Sequence, residues 1–506
     1  FLKKFIQKEI SKNFNCKEKL TIYFSHHHLS HASSAFFPSP YKEAIILCID
    51  GVGEWNTTTA WIGNQNNLSL VLSINFPHSL GLLYSAFTSY CGFKVNSGEY
   101  KLMGLAPYGK PIYYELIKNK LIKVYQDGTF KLNLKYFSFY NDFTMTNKLF
   151  DDLFQNNLRP RESKIRKIHM DIASSIQKVT EEIVVKLCSS LSNKYKIKNL
   201  CLAGGVALNC VANGKILEKK IFDKVWIQPS SGDAGASLGA ALSFLYLEKN
   251  FKRKNIIEPD GMKGAYLGNK YDFDYIKNEL DNNEIVYSLH SENEITNLVT
   301  DDIIDNKIIG LFHGRSEFGP RALGNRSIIA DPRNKNMQRN MNLKIKFRES
   351  FRPFAPAILE EEITNYFDID LLSPYMLFTS KIKQKFKKKQ IKKINYDLDE
   401  INEARSIFPS ISHIDFSSRI QTVSKDTNLK FYNIIKNFFK KTNCPMVINT
   451  SFNVRGEPIV ETPFDAIKCF FQTDIDVLII ENFYIKKNNQ KKSLYEKEWL
   501  ERFELD

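Results

Sequence analysis

Two stretches in the first half of the chain repeat one local plan: an apolar strand, a glycine turn and a helix. One strand ends at Ala203, turns at Gly204-Gly205 and enters a helix from Ala207; the next runs Lys224 to Gln228 and turns at Ser231-Gly232 into a helix through Ala241. Each unit aims a helix N-terminus and free backbone N–H groups at whatever occupies the turn, a geometry suited to phosphate. Upstream, the apolar run Glu43 to Asp50, a second strand Thr57 to Gly63 and a third over Leu68 to Phe76 read as a meander. Helices are expected from about Ser79 to Cys91 and, with amphipathic spacing, from about Lys164 to Leu191. The plan demands an α/β fold.

At 506 residues the chain is long enough for two or three domains with ample cores. The charged, turn-rich stretch Glu248 to Gly268 marks a boundary, giving domains over 1–265 and 283–506, with no internal repeat. No apolar run approaches a membrane span, and Phe1-Leu2-Lys3-Lys4-Phe5 is too short and too charged for a signal peptide, so a cytoplasmic, membrane-free protein is expected. The first residue is Phe, so the expectation is a fragment or a removed N-terminus. Eight cysteines without a Cys-x-x-Cys pair read as reduced core thiols. The net charge of +15 invites a nucleic-acid reading, but eight lysines fall between Lys381 and Lys393, which reads as a solvated loop. No nucleic-acid partner is expected.

The second half carries the densest polar motif. Phe312 to Ile328 holds three arginines, Arg315, Arg321 and Arg326, and three glycines, behind the apolar run Lys307 to Leu311. Guanidinium groups fork onto phosphate or carboxylate oxygens, and glycines admit close backbone approach, so the segment reads as an oxyanion and nucleotide cradle. Lys346-Phe347-Arg348 and Ser451-Phe452-Asn453 each place polar side chains two apart, expected on one face of an extended segment. Together they resemble the Lys-x-Arg and Ser-x-Asn signature of YrdC-like domains, which make carbamoyl-type adenylates from ATP.

Four of the nine histidines lie in Ser25-His26-His27-His28-Leu29-Ser30-His31, at or just before a helical stretch. His27 and His31 are one helical turn apart and can face one ion, whereas His26 and His28 point elsewhere. Asp50 ends the first strong strand, and Asp233 begins a glycine-flanked helix. Two His and one or two Asp suit Fe(II), Zn or Mn, and the donors alone do not choose among them.

His27 to Ala32, Asp50 to Glu54, the run Gly98-Glu99-Tyr100-Lys101-Leu102-Met103-Gly104-Leu105-Ala106-Pro107-Tyr108-Gly109, Gly204 to Asn209 and Gly232 to Gly235 resemble the NodU/CmcH carbamoyltransferases over nearly the whole chain. The resemblance implies an actin-like (Kae1-like, ASKHA) domain, which the repeated glycine turns also suit, followed by a YrdC-like mixed α/β domain. It implies His27, His31, Asp50 and Asp233 as ligands of a divalent transition metal, Fe2+ in this family. It implies Gly204, Gly205 and Asn209 as a nucleotide turn with Lys101 nearby, and Arg315, Arg321, Lys346, Arg348, Ser451 and Asn453 as holding carbamoyl phosphate and ATP. The segment His413 to Val423 resembles a further family stretch, with Arg419 a binding candidate and Phe416 standing where the family usually has Gly. Members usually carry a Gly-x-x-His-Asp-Ala-Ser motif upstream, so part of the first lobe is expected to be missing.

The implied reaction is O-carbamoyl transfer to a hydroxylated small molecule or saccharide. Nitrogen donation into its carbonyl makes carbamate a poor electrophile, and adenylation supplies a good leaving group. The acceptor is not legible, and a homodimer is a reasonable expectation. Three alternatives compete. A threonylcarbamoyl-type tRNA modification enzyme suits the charge but not the Gly98–Gly109 motif. A sugar kinase leaves the histidine pair idle. A non-catalytic nucleotide-binding protein needs only the turns.

Overall fold

A computed structural model describes residues 2–14, 21–253, 259–348, 352–388 and 405–491. The first half builds a five-stranded sheet from β1 (Glu43–Ile49), β2 (Asn56–Asn64), β3 (Asn67–Asn75), β6 (Asn199–Ala203) and β7 (Lys224–Ile227), while β4 (Ile122–Val124) and β5 (Phe130–Leu132) form a small hairpin. The order is β3-β2-β1-β6-β7, antiparallel through the meander and parallel from β1 to β6 and β7. β1 is central, so Ala44 to Ile49 are all buried and read as an unbroken apolar run; β3 is the edge and mostly exposed. The Lys167–Tyr195 helix precedes β6 and buries its apolar stripe.

The second half builds a nine-stranded mixed sheet from β8 (Ser288–Leu289), β9 (Ile309–Phe312), β10 (Arg326–Ala330), β11 (Ala355–Leu359), β12 (Phe378–Lys381), β13 (Ser417–Val423), β14 (Met446–Ser451), β15 (Val477–Ile480) and β16 (Phe483–Lys486). Its order is β12-β13-β11-β14-β10-β9-β15-β16-β8. Register matters here: Ser327 at the start of β10 pairs with Ser451 at the end of β14, and Ala355 at the start of β11 pairs with Asn449. The arginine loop before β10, the Lys346 segment before β11 and the Ser-x-Asn turn after β14 therefore meet at one edge of the sheet. The fold is α/β, with a five-stranded sheet in the first half and a nine-stranded mixed sheet in the second.

Three local expectations need correction. Lys346 and Arg348 are not on an extended segment: they follow the Met337–Lys344 helix in a turn, with Phe347 at φ +46, and their N–H groups bond back to Met341 and Asn342 carbonyls. Helix does not begin at Ala207, because Gly205–Leu208 winds as a tighter 3₁₀ turn and Asn209 restarts the chain as the cap of the Cys210–Glu218 helix. The lysine-rich stretch is not simply a loop at its start. Lys381 ends β12, Ile382 is buried, and Phe386 stacks on Tyr366 at 4.6 Å, so apolar residues between the lysines anchor it; residues 389–393 lie outside the described part. The seven described cysteines are free and buried; Cys16 lies outside the described residues.

The two halves meet along a polar seam. Asn213 in the Cys210–Glu218 helix donates to the Leu377 carbonyl at 3.0 Å, and Thr379 of β12 donates to the Cys210 carbonyl at 3.3 Å. A Cβ on Gly214 would sit 2.6 Å from the Thr379 carbonyl oxygen, so glycine permits this approach. His413 donates through Nε2 to the Gly104 carbonyl at 3.1 Å, and Tyr375 donates to the buried Asp260 carboxylate at 2.7 Å.

Candidate metal centre and cationic cradle

Two helices carry three of the four candidate ligands. His27 and His31 lie on the His27–Phe36 helix, whose first N–H groups include that of His27, donated to the Glu54 carboxylate at 3.0 Å. Asp233 opens the Asp233–Ser243 helix, and the two helices touch at Gly239, where a Cβ would lie 1.8 Å from the Ser30 carbonyl oxygen. This close crossing brings Asp233 to the histidines. Asp50 follows β1. Its Oδ1 accepts the Gly51 and Gly205 N–H groups at 2.8 and 3.1 Å, which turns Oδ2 toward the imidazoles.

Nε2 of His27 and of His31 lie 3.0 and 2.9 Å from Asp50 Oδ2, 3.0 Å from each other, and 3.4 and 3.7 Å from Asp233 Oδ1. Ligands about 2.1 Å from one ion sit about 3.0–3.4 Å apart, so the spacing fits a shared cation. The two Nε2 atoms and Asp50 Oδ2 lie about mutual hydrogen-bond distance apart, a compact donor set that one cation could share. Without a cation, burial depresses His31, but hydrogen bonds to Asp233 and Asp50 outweigh it and raise the ring to about 9. Burial likewise opposes the Asp50 charge, yet His27 and His31 hold it well below the carboxylate range. His28 is apart: buried, bonded through Nδ1 to Thr59 at 2.9 Å, and lowered to about 4 by burial. His26 is exposed beside Glu54.

The glycine turn does two jobs. Gly204 adopts φ +85, and a Cβ there would lie 2.3 Å from the Ile49 carbonyl oxygen, so β1 and the turn pack through it. Gly205 supplies its N–H to Asp50, as above. Asn209 exchanges amide hydrogen bonds with Gln177 at 3.0 and 3.1 Å and caps its own helix through Ala212 N–H. Lys101 is buried in the Glu99–Leu105 helix, 6.0 Å from the Phe93 ring centre.

In the second half, Lys346 is the centre. Its side chain is 3 % exposed, and Nζ donates to the Ser451 carbonyl, to Ser451 Oγ at 3.2 Å, and to the Asn453 carbonyl and Oδ1 at 2.9 and 2.7 Å. Burial, reinforced by Arg348, pushes the ammonium well below its ordinary value. Arg348 itself turns to Asn342 Oδ1 at 2.7 Å and lies over the Phe354 ring at 5.1 Å. Arg321 and Arg419 sit together at the seam: burial, then the charge of Arg419, lowers Arg321 to about 9, and burial lowers Arg419. Cys210 and Tyr100 of the first half act on both. Phe416 takes φ +65, the conformation that the family's glycine would adopt freely. Arg315 stands apart, exposed and donating to the Gly268 carbonyl at 2.9 Å.

Sequence reasoning passed over two participants and misassigned a third residue. Arg352 is buried, 5.1 Å from the Tyr100 ring centre across the seam. Its signal was an arginine set between Phe351 and Phe354 in an apolar run. Gln177 is invisible in a long amphipathic helix until Asn209 faces it. Arg326, grouped with the cradle by sequence, is fully buried, stacks 3.6 Å from the Phe312 ring centre and donates to the His313 and Asn325 carbonyls, a structural role.

The profile described as Carbamoyltransferase N-terminus matches residues 1–242, and that described as Carbamoyltransferase C-terminus matches residues 300–487. An uncharacterised protein of Synechocystis sp. is 48% identical over all of this chain and 83% of its own length. Nodulation protein NolO of Bradyrhizobium diazoefficiens is 33% identical over 91% of this chain and 78% of its own, and nodulation protein NolNO of Sinorhizobium fredii is 34% identical over 92% and 64%. The crystal structure of T. kodakarensis HypF aligns with 50% of this chain and 40% of its own at 14% identity, with a TM-score of 0.25, at which shared architecture is not established. With both profiles in order along it and NolO aligned across most of both lengths, the chain belongs to the carbamoyltransferase family and is a carbamoyltransferase enzyme.

Proposed function

We propose that the chain makes carbamoyl-adenylate from ATP and carbamoyl phosphate and passes the carbamoyl group to a hydroxyl of a small-molecule or sugar acceptor. The observation that carries this reading is the buried Lys346 ammonium, held by Ser451 and Asn453 with Arg348 and Arg352 acting on it. Cations gathered in a poorly hydrated site act strongly on phosphate oxygens. In this reading water hydrolyses carbamoyl phosphate to carbamate and phosphate, a carbamate oxygen bonds to the α-phosphorus of ATP as the α–β phosphoanhydride bond breaks, and pyrophosphate leaves. Arg321 and Arg419, on the seam, would hold the anionic adenylate while it faces the first half. Attack by an acceptor hydroxyl on the carbamoyl carbon then releases AMP.

His27, His31, Asp50 and Asp233 would hold a divalent transition metal, Fe2+ by family resemblance, which would supply Lewis-acid polarisation beside the transfer step. The Gly205 N–H keeps Asp50 aimed at that centre, and Asn209, fixed by Gln177, borders the same turn. No described helix is long and apolar enough to cross a membrane, in keeping with a proposed cytoplasmic site of action. The test is pyrophosphate formation from ATP and carbamoyl phosphate without acceptor. Lys346→Ala and Arg348→Ala should abolish it; unchanged rates in both would remove the adenylation assignment.

A further inference from the structure

Lys346 raises a problem that the catalytic reading leaves open. An ammonium this buried, with Arg348 and Arg352 acting on it, tends to lose its proton and with it the charge that phosphate binding needs. Its four near oxygens are neutral. Something must keep it charged.

The turn after β14 holds the answer. Asn453 donates through Nδ2 to the Glu457 carbonyl at 2.6 Å, which fixes the amide so that Oδ1 accepts from Lys346 and from Ser451 Oγ, each at 2.7 Å. The Glu457 carboxylate folds back and accepts the Val454 N–H at 3.1 Å, closing the loop, with Gly456 at φ +79 allowing the reversal. Arg455 on the same loop reaches Glu162 of the first half at 2.5 Å. Among the groups acting most strongly on Lys346, Arg348 and Arg352 oppose its ammonium, Cys469 and then Glu457 favour it, and Glu457 is the carboxylate of that set.

We infer that Glu457 is a positioning residue for the reaction, its carboxylate keeping Lys346 protonated while its loop holds Asn453 against the ammonium. The inference rests on the adenylation reading above. Lys346 acts on Glu457, as do Asp465 and Lys468 of the Pro463–Gln472 helix, and the buried Cys469 thiol of that helix interacts with both Glu457 and Lys346. Burial, first, and then Asp465 raise its carboxyl to about 7 against the pull of the Val454 N–H and the two lysines. Its ionisation therefore falls near neutrality: below that it gives Lys346 no support, and above it full support.

The experiment is ATP affinity against pH, by calorimetry on the full chain, for wild type, Glu457→Gln and Glu457→Asp. Glutamine keeps the backbone carbonyl that holds Asn453 and removes only the charge. Near pH 6 wild type and Glu457→Gln should bind alike, because Glu457 is itself neutral there; near pH 8.5 the variant should bind about tenfold more weakly, as for the loss of one charge-assisted contact. Glu457→Asp should restore most of the wild-type pH dependence. Weakening that is equal at every pH, with Asp no better than Gln, would mean a merely structural loop and overturn the inference, as would unchanged binding throughout. Should Gln fail to give a folded chain by its melting curve, Glu457→Ala carries the same comparison. A wild-type chain that binds ATP but forms no pyrophosphate would refute the adenylation reading alone; one that binds no ATP would refute both.

Discussion

Gly239→Ala should strip the metal centre without touching a ligand. A Cβ at this position would lie 1.8 Å from the Ser30 carbonyl oxygen and 3.0 Å from Ser34 Cβ, both on the helix that carries His27 and His31. Carbon and oxygen need about 3.3 Å, so the two helices must part by about 1.5 Å. Metal–ligand distances tolerate only about 0.2 Å, and Asp233 rides on the displaced helix. Alanine is the better helix former by about 1 kcal/mol, which offsets part of an overpacking cost of about 1–3 kcal/mol. Stability should therefore fall modestly while metal content falls sharply. Elemental analysis of purified protein and a urea midpoint read the two quantities separately. Gly104→Ala is the control, since its Cβ would meet nothing within 4 Å, and it should keep both. A Gly239→Ala chain with wild-type metal content and midpoint would refute the argument that this crossing places Asp233.

Among the single histidines, His27→Ala and His31→Ala should lose the metal, whereas His28→Ala should keep it and lose about 1–3 kcal/mol of stability through its vacated site beside Thr59, read by elemental analysis and unfolding. Arg253→Ala should cost about 2–3 kcal/mol, because its guanidinium satisfies the carbonyls of Phe36, which ends the histidine helix, and of Phe37, Ser39 and Tyr41 after it; a change within error in the urea midpoint would count against it. Buried His169 is lowered to about 4 by burial, so between about pH 6.5 and 4 the unfolded chain binds the extra proton and stability falls as pH falls through that window. His169→Gln should flatten this part of the stability–pH curve, and an identical slope would refute the assignment.

The fold was legible wherever period and punctuation agreed. β1 reads as a central strand because all its residues from Ala44 onward are apolar, and the Lys167–Tyr195 helix because its stripe runs for many turns. That His27, His31, Asp50 and Asp233 gather in one place was legible because a His pair at helical spacing and two Asp beside glycine turns are strong local marks. Lys346 was found, but its geometry was not: a two-residue spacing looks extended, and only the left-handed Phe347, set by surrounding contacts, turns it into a bend. Gln177 and Glu457 carry no local mark at all, and Arg352 has only its setting among apolar residues. Their roles come from partners far away in sequence, Tyr100, Asn209 and Lys346, which only the packed chain brings near.

The seam has a bearing on how such a chain can be recombined. Gly214 admits Thr379, Asn213 meets the Leu377 carbonyl, and His413 meets the Gly104 carbonyl, so the surfaces that join the halves belong to the helix that follows the Gly204–Asn209 turn and to the Gly98–Gly109 run. Acceptor choice cannot then be transplanted by exchanging one half as a free cassette. A chimera must inherit both banks of the junction together, or it will assemble with its two halves misaligned, and an acceptor-swapping experiment should move residues inside the first half while leaving its 98–109 and 204–218 segments as they are.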